Sequence, residues 1–290
     1  MGSCPIGGSS NNPIPLFEQK RNFLYSSKNN YNSFMIPILQ LDTSLVINYT
    51  SPSQKIRVMT ETWAEEFGYC PNCGNSLRKS RDNNPVGDFI CDKCQEEYEL
   101  KSKNNSFGKK ITDGAYGTMI ERLQSATNPS FFGLNYGKNL EIINFFVIPK
   151  FYFTPEIIEK RKPLAPTAKR AGWIGCNILL EPIPESGKVY YIQNGKSREK
   201  WYILEDWQKT NFLAEKSSLE SKWWLLDIMR CIDMLEKKEF SLADIYNFTT
   251  ILREKHPDNN NIEAKIRQQL QILRDKNYIK FIWKWIYNKI

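Results

Sequence analysis

Four cysteines arranged as two C-x-x-C pairs place the strongest constraint on how this chain can fold. One pair is Cys70 and Cys73, the other is Cys91 and Cys94, and residues 74–90 lie between them. A two-residue gap lets both thiolates of a pair reach one ion, and two such pairs complete a tetrahedral shell. The pattern predicts a structural Zn²⁺, since four sulfurs leave no open position for catalysis. The alternatives are four incidental thiols or a redox-active pair.

The remaining cysteines and the single histidine exclude several classes of protein. Cys4, Cys176 and Cys231 are scattered along the chain, which is not the spacing of a disulfide framework. His256 precedes a Pro/Asn-rich segment, and we expect it to be a solvated loop residue. One histidine does not support a histidine-metal nuclease or a Ser-His-Asp hydrolase. Catalysis would therefore depend on carboxylates, lysine, cysteine or metal.

The charge of the chain indicates its partner only in outline. A net charge of +8 and a pI of about 9.0 favour a polyanionic partner without identifying it. No apolar run reaches the length of about 18 residues that a membrane span needs. The N-terminus lacks the basic and then apolar pattern of a secretory signal. We expect a cytoplasmic bacterial protein that does not enter a membrane.

Changes in amino-acid composition and hydrophobic pattern along the chain predict three regions. Residues 1–34, rich in Ser, Asn, Gly and Pro, are predicted to be a flexible N-terminal extension. Residues 35–211 alternate short apolar runs with turn signals, which predicts an α/β domain whose buried strands include 144–149 and 189–192. A helix is predicted over 113–123. Its apolar side would carry Tyr116, Met119, Ile120 and Leu123.

Residues 212–290 have the order of an α+β winged-helix domain, three helices followed by a β-hairpin. The first helix is predicted over 217–235, and Ser241 with Asp244 can cap the second. Strands are predicted at 278–282 and 285–287. The alternative is a winged helix used for protein contact or dimerisation. Two inward stripes support the helices, namely Trp224, Ile228, Cys231 and Leu235, and Ile262, Ile266, Leu270 and Leu273.

An acidic cluster with a lysine follows the first cysteine pair. If residues 86–90 and 98–101 are strands, Glu99 and Lys101 share one face, and the zinc loop can bring Asp88 alongside Glu99. Two neighbouring carboxylates suit Mg²⁺, which can assist hydrolysis of a phosphodiester. Lys101 could position or deprotonate water, or stabilise negative charge. Such triplets also occur by chance, and Glu96 and Glu97 are either a solvated patch or, for Glu97, a supporting ligand.

Several longer runs resemble the Dpn I-type methyl-directed restriction endonucleases, over about residues 40–280. They are Met59–Trp63, Tyr69–Asn75, Glu97–Lys103, Asp113–Tyr116, Arg161–Asn177 and Lys265–Lys276. The resemblance implies a PD-(D/E)-x-K restriction-endonuclease-like core with the zinc site and a C-terminal winged helix. It implies Mg²⁺-dependent cleavage of double-stranded DNA at GATC bearing N6-methyladenine. It places Asp88, Glu99 and Lys101 in the catalytic positions, with Asp88 and Glu99 holding Mg²⁺.

The resemblance also indicates how DNA is read. Trp173 matches the tryptophan that contacts the methyl groups; the alternative is a core tryptophan. The basic residues before it, including Lys169 and Arg170, are expected to contact phosphates, and the alternative for them is a solvated loop. In the winged helix, the groove contacts are predicted to come from Lys265, Arg267, Gln268 and Gln271. Two departures stand out: Gly87 replaces the family's proline before the catalytic Asp, and residues 281–285 differ from its shorter, more basic wing.

Three alternatives to such an enzyme stay open on the sequence. One is a DNA-binding regulator without activity, built from a zinc ribbon and a winged helix. Another is a decayed nuclease that still binds methylated DNA. The third is a nuclease of this fold with different base or methyl specificity. No obligate protein partner is implied, and a monomer is expected.

Overall fold

The computed structural model describes residues 38–80, 87–215 and 218–290. The predicted extension, residues 1–34, lies outside them. The helices are α1 Pro52–Phe67, α2 Tyr116–Gln124, α3 Lys200–Thr210, α4 Leu219–Met234, α5 Leu242–Tyr246, α6 Thr249–Lys255 and α7 Ile262–Asp275. The strands are β1 Arg78–Lys79, β2 Phe89–Ile90, β3 Glu97–Asn104, β4 Lys110–Ala115, β5 Ser130–Tyr136, β6 Ile142–Ile148, β7 Ile158–Lys160, β8 Gly175–Leu179, β9 Val189–Gln193, β10 Lys196–Ser197, β11 Glu239–Ser241, β12 Ile279–Trp283 and β13 Ile286–Lys289.

The first region is built on a seven-stranded sheet of order β1-β2-β3-β5-β6-β9-β10. Strands β3 and β5 are parallel, and every other pairing described in this sheet is antiparallel. A parallel pair needs a crossover connection, and residues 105–129 supply it, carrying β4 and α2. The predicted buried strands at 144–149 and 189–192 are confirmed as β6 and β9.

Both faces of this sheet are covered, and adjacent residues of β5 show how. Phe132 joins a buried cluster with Trp63 of α1, whereas Phe131 joins a second cluster on the opposite face. This follows from the alternation of side chains along a strand. At Gly133 the ring of Phe146 lies so close that a Cβ would be 2.4 Å from its Cζ, so the close packing requires glycine.

A second, three-stranded antiparallel sheet of order β4-β8-β7 lies over the second cluster. The helix predicted over 113–123 is wrong at its start, because Asp113 belongs to β4 and pairs with Cys176 of β8. Helix α2 begins at Tyr116 instead. Its predicted inward side is correct, since Met119 and Leu123 are buried and Ile120 packs beside them. Pairing with a distant strand has overridden a local helical pattern here.

The C-terminal region contains α4, α5, α6 and α7 and a three-stranded sheet of order β11-β13-β12. The predicted apolar stripes of α4 and α7 are confirmed as buried or packed against the core. Ser241 caps α5 in a capping box with Asp244. Two details differ from expectation: the predicted second helix is split into α5 and α6, and β11 precedes it. The terminal hairpin is confirmed as β12 and β13.

His256 is not a solvated loop residue, as its Pro/Asn-rich surroundings predicted. Its ring is buried and stacks on Trp224, with centroids 3.6 Å apart. Its Nε2 lies 2.9 Å from Oδ2 of Asp227, which also binds Lys255. The histidine directly follows α6 and is carried into the space beside α4, so a tertiary contact determines its burial.

The two regions share one hydrophobic cluster. Phe151 and Ile183 of the first region belong to the same buried set as Trp224 and Ile232 of α4. Polar contacts supplement this packing: Oη of Tyr278 donates a hydrogen bond of 3.0 Å to Ser186. Glu185 N–H donates a hydrogen bond of 3.0 Å to Oδ2 of Asp233 in α4. The C-terminal region is therefore fixed to the first by a continuous core.

Candidate active site and DNA-reading surfaces

The four cysteines of the two C-x-x-C pairs converge on one point. Their Sγ atoms all lie within 4.8 Å of one another, and Cys70–Cys94 and Cys73–Cys91 are each 3.4 Å apart. A tetrahedron with Zn–S bonds of about 2.3 Å has sulfur–sulfur edges of about 3.8 Å, so the cluster has the dimensions of a zinc site. Among the described residues these cysteines are free thiols, as are the buried Cys176 and Cys231.

The surroundings of the cluster differ from one thiol to the next. Burial raises the pKa of Cys70, although Tyr98 opposes that rise. Burial acts in the same direction on Cys73, but hydrogen bonds from Asn75 outweigh it and lower the pKa to about 7. Gly74, with φ of +74°, makes the turn after the first pair. The thiol set therefore includes one group that ionises readily at neutral pH.

Asp88 is placed by the strands that leave the zinc loop. Its backbone N–H donates to Tyr98, and its Oδ2 accepts a hydrogen bond of 2.7 Å from Leu100 N–H. Burial raises the pKa of Asp88, while the Leu100 bond opposes that rise. Gly87 precedes it at φ +67°, a conformation that proline cannot adopt. A proline at position 87 would therefore require a different backbone conformation before Asp88.

Glu99 and Lys101 lie on the same side of β3, as predicted, and are ion-paired through Oε1 and Nζ. Both side chains are largely buried, at 23% and 21% exposure. Burial raises the pKa of Glu99; Lys101 opposes the rise, and the charges of Asp113 and Asp88 add to it. Burial alone would lower the pKa of Lys101, but Glu99 and Asp113 outweigh it and raise the pKa. The lysine is therefore a fixed cation in this arrangement.

The structure adds Asp113 to the cluster, a residue to which sequence reasoning gave no role. Its Oδ1 accepts a hydrogen bond of 2.6 Å from Nζ of Lys101, and its side chain is only 7% exposed. Asp113 comes from β4 of the second sheet, whereas Lys101 comes from the first. The sequence held no local signal for this contact, because it depends on how the crossover folds back against β3.

The carboxylates fit a cation, and Lys101 divides them. Among the described residues only the cysteines gather three or more ligand atoms within 4.8 Å, so Asp88, Glu99 and Asp113 are more widely spaced. Lys101 occupies the space between Glu99 and Asp113. The charge of Asp88 raises the pKa of Glu99, and burial raises the pKa of Asp88 itself, so a bound cation would relieve both carboxylates.

The neighbouring acidic residues, Glu96 and Glu97, have different surroundings. Glu96 is half-buried, accepts a hydrogen bond of 3.0 Å from Ser130 and forms an ion pair of 3.0 Å with Lys150. It is therefore not part of a solvated patch. Glu97 is half-buried, and burial raises its pKa. Glu97 lies on β3, two residues before Glu99. Its role as a supporting ligand stays a prediction.

Trp173 ends a closed, cationic loop over residues 161–173. Backbone hydrogen bonds of 3.0 and 3.1 Å join Leu164 to Trp173 and Gly172. The indole is half-buried, and Cζ of Arg170 lies 4.7 Å from its ring centroid. A Cβ at Gly175 would come within 2.8 Å of the ring, so glycine there makes room for it. Lys169 and Arg170 are exposed, as expected for phosphate contacts.

Helix α7 presents three of its four predicted contact residues to solvent. Arg267, Gln268 and Gln271 are exposed, and Nη1 of Arg267 donates a 2.5 Å hydrogen bond to Oη of Tyr246. Lys265 is only half-exposed, because its Nζ lies 5.8 Å over the ring of Trp224. These three residues therefore remain available to a partner, on a helix whose other exposed residues include Glu263, Arg274 and Asp275.

Two family models cover most of the chain. The Dam-replacing family matches residues 38–216, and the Dam-replacing HTH domain matches residues 220–289. No helix among the described residues is both long and apolar enough to cross a membrane. A mixed α/β region followed by a helical DNA-binding domain is thus confirmed, and so is the resemblance stated from sequence. The chain belongs to the Dam-replacing family and is a DNA-acting restriction endonuclease of the Dpn I type.

Proposed function

We propose that this enzyme cleaves double-stranded DNA at GATC sites that carry N6-methyladenine, in a reaction that requires Mg²⁺. The catalytic core would be of the PD-(D/E)-x-K type within residues 35–211, and residues 212–290 would form the winged-helix reader. The observation that carries the proposal is the cluster of Asp88, Glu99 and Lys101, gathered on strands beside a zinc-sized cluster of cysteines. We further propose that the enzyme acts as a monomer and is cytoplasmic.

The chain's own residues have distinct roles in this proposal. Asp88 and Glu99 would hold Mg²⁺, which supplies charge stabilisation at the scissile phosphate and makes bound water more acidic. Lys101, held as a cation by Glu99 and Asp113, stabilises the negative charge that develops on the phosphate. As an ammonium group held by Glu99 and Asp113, Lys101 would also orient the attacking water as a hydrogen-bond donor. Cys70, Cys73, Cys91 and Cys94 would hold structural Zn²⁺.

The methyl sensor would be the indole of Trp173. A methyl group gains contact with the ring, and each buried carbon contributes about 0.8 kcal/mol, so one methyl group gives modest discrimination. Contacts to the methyl groups of both strands, made by both domains, would multiply it. The exposed Lys169 and Arg170 would hold the backbone beside the indole, and Arg267, Gln268 and Gln271 would contact base edges in the major groove.

A digest of paired plasmids tests the proposal. The purified protein with Mg²⁺ is expected to cut an adenine-methylated plasmid into discrete GATC fragments and to leave the unmethylated copy intact. Glu99→Gln should abolish cutting but keep binding to the methylated duplex in Ca²⁺. Glu159→Gln is the matched control, because this acid pairs with Lys110 on the outer sheet and should leave cutting unchanged.

The outcomes separate the alternatives. Cutting of both plasmids would refute the methyl sensor but would still show a nuclease. A different fragment pattern would show that the enzyme recognises another sequence. Binding of methylated DNA without cutting would indicate a decayed nuclease, and binding without regard to methylation would indicate a regulator. Trp173→Ala should reduce the ratio of the two cutting rates. A Trp173→Ala variant with wild-type discrimination would remove the indole from methyl reading.

A further inference from the structure

An open cavity of about 410 Å³ lies between α1 and the strands β3 and β5, and the proposed function leaves it without a role. It is on the face of β3 opposite Glu99 and Lys101, because the lining residues Leu100 and Ser102 alternate with those two along the strand. The polar side chains of its lining are Ser53, Arg57, Thr60 and Glu61 from α1, Ser102 from β3 and Tyr136 from β5.

The cavity adjoins the proposed metal ligand Asp88. Leu100, which lines the cavity, donates its N–H to Oδ2 of Asp88 at 2.7 Å. Burial raises the pKa of Asp88; the charge of Glu61 adds to that rise, whereas the charge of Arg57 opposes it. Two residues of the cavity wall are therefore close enough to Asp88 to act on its charge. The cavity and the catalytic cluster lie on either side of one strand, β3, and meet at Asp88.

The charge that the cavity presents to solvent is positive. Arg57 and Glu61 are the charged residues of its lining. The carboxylate of Glu61 is buried, at 6% exposure, and forms ion pairs of 2.5 Å with both Arg57 and Lys79, which leaves a net charge of +1. Arg57 is 66% exposed. The accessible member of this group is thus a guanidinium, whose planar set of N–H donors matches the oxygens of a phosphate.

Hydroxyl groups supply further hydrogen-bond donors around the guanidinium. Oγ of Ser102 lies 3.4 Å from the hydroxyl of Thr60, which itself bonds the carbonyl of Ile56. No described residue forms a hydrogen bond with the hydroxyl of Tyr136, and burial raises the pKa of that group, so it stays a donor at neutral pH. Arginine and hydroxyl side chains are common phosphate contacts in DNA-binding proteins. The cavity therefore has the chemistry of a phosphate site.

We propose that this cavity binds a non-scissile phosphate of the cleaved DNA strand, next to the phosphate that is hydrolysed. The inference rests on the proposed function and adds a contact to the same substrate. The guanidinium of Arg57 and the hydroxyls of Ser102 and Tyr136 bind the phosphate oxygens. Glu61 is a positioning residue, since its bond to Nε of Arg57 fixes the plane of the guanidinium. A strand held here passes Asp88 on a fixed path, which aligns the scissile phosphate for attack.

A scan of neutralised phosphates tests the inference. Each methylated duplex carries one methylphosphonate at a different position near the cut, and affinity is measured by fluorescence anisotropy in Ca²⁺. In the wild type, one position other than the scissile one should raise Kd about tenfold, as expected for loss of one charge-assisted contact. Arg57→Gln should bind the unmodified duplex about tenfold more weakly, and the methylphosphonate at that position should then have no further effect.

Matched variants separate a direct contact from an effect through Asp88. An effect through Asp88 weakens binding of every duplex equally and leaves the methylphosphonate penalty in place. Arg57→Gln should also reduce the slope of log affinity against log salt by about 1, whereas Arg57→Lys should keep the wild-type slope. Lys55→Gln removes a cation of α1 that does not line the cavity, and it should keep the affinity and the scan of the wild type.

Tyr136→Phe tests the cavity without a change of charge. Loss of a neutral hydrogen bond should raise Kd about fivefold on the unmodified duplex and reduce the penalty at the sensitive position. The melting temperature of each variant is compared with that of the wild type to show that it is folded. Glu61 keeps Lys79 as a partner in Arg57→Gln, so that variant does not leave a buried carboxylate unpaired.

The contrary outcomes are distinct. If no non-scissile position matters to the wild type, or if Arg57→Gln keeps the penalty, the inference is overturned and the proposed function stands. A wild-type protein that binds no methylated duplex overturns both. Inorganic phosphate is the other source of the same chemistry. If millimolar phosphate raises the melting temperature of the wild type but not of Arg57→Gln, and no position in the scan depends on Arg57, the cavity holds a free anion and the inference is overturned.

Discussion

Lys101 forms ion pairs with two carboxylates that come from different sheets. Glu99 lies beside it on β3, and Asp113 lies across from it on β4. If Glu99 turns towards a metal ion, Asp113 still holds the ammonium group in place. In the proposed mechanism Asp113 is therefore a positioning residue, which would act on the reaction through Lys101. Its strand pairs with β8, which begins two residues after Trp173, so the same small sheet supports the loop over residues 161–173 and the lysine.

We expect Asp113→Asn to lower kcat about 100-fold while KM for the methylated duplex changes little, because a misplaced catalytic group costs roughly this factor. Single-turnover cleavage and duplex affinity in Ca²⁺ measure the two quantities. Asp113→Glu should recover part of the rate, and Glu159→Gln on the same sheet should keep all of it. Wild-type turnover by Asp113→Asn would leave Glu99 alone as the residue that positions Lys101.

Asp113 and the predicted cluster of Asp88, Glu99 and Lys101 differ in whether a sequence pattern can reveal them. Glu99 and Lys101 lie on β3, and Asp88 directly precedes β2, which one short loop joins to β3, so their spacing brings them together. Asp113 reaches Lys101 only after a crossover has folded and β4 has paired with a strand more than sixty residues away, at Cys176. Similar tertiary contacts bury His256 on Trp224 and carry Lys265 over the same ring. No local pattern contains that information.

The loop closed by the four clustered cysteines is the element on which the proposed active site depends. Strands β1 and β2 have two residues each, too few to pair stably without support. Tyr98 links the loop to the catalytic strand: its Oη lies 3.0 Å from Sγ of Cys70, and its neighbour Glu99 points to the other face. The C-x-x-C spacing and the helical stripes of α4 and α7 were readable from sequence because each is set within a few residues.

Removal of one thiolate should dismantle this element. We expect Cys70→Ser to lose stoichiometric zinc and at least 100-fold in cleavage, because loss of a ligand weakens zinc binding and frees the segment that holds Asp88 before β2. Zinc is measured by atomic absorption and cleavage by plasmid digest. Cys231→Ser, at a buried thiol outside the cluster, should keep both. Full activity in zinc-free Cys70→Ser would contradict a structural role for the metal.

At the scale of the whole molecule, the two regions pack as one continuous body and are not separate modules joined by a tether. The boundary between the matched families falls at residues 217–219, yet the buried cluster runs across it, from Phe151 to Trp224. Tyr278 lies at this junction, with its hydroxyl on Ser186 and its ring 6.4 Å from that of Phe212. Cooperative unfolding of both regions follows from such a shared core.

We expect calorimetry of the wild type to show a single unfolding transition. Tyr278→Ala should divide it into two, because loss of a large ring from the junction removes about 3 kcal/mol of packing. Tyr202→Ala, which removes an exposed ring from α3, should retain the single transition. Two transitions in the wild type would show instead that the junction does not couple the regions.

The parallel pairing of β3 with β5 has a consequence for how the enzyme regains activity after denaturation. Parallel strands cannot meet until the intervening chain has wrapped across the sheet, and such long-range closure is slow. Here that chain, residues 105–129, carries Asp113. The zinc hairpin and the C-terminal helices can form from near neighbours, so secondary structure should recover early. Catalytic competence should return in a later kinetic phase, when the lysine finally acquires its second partner.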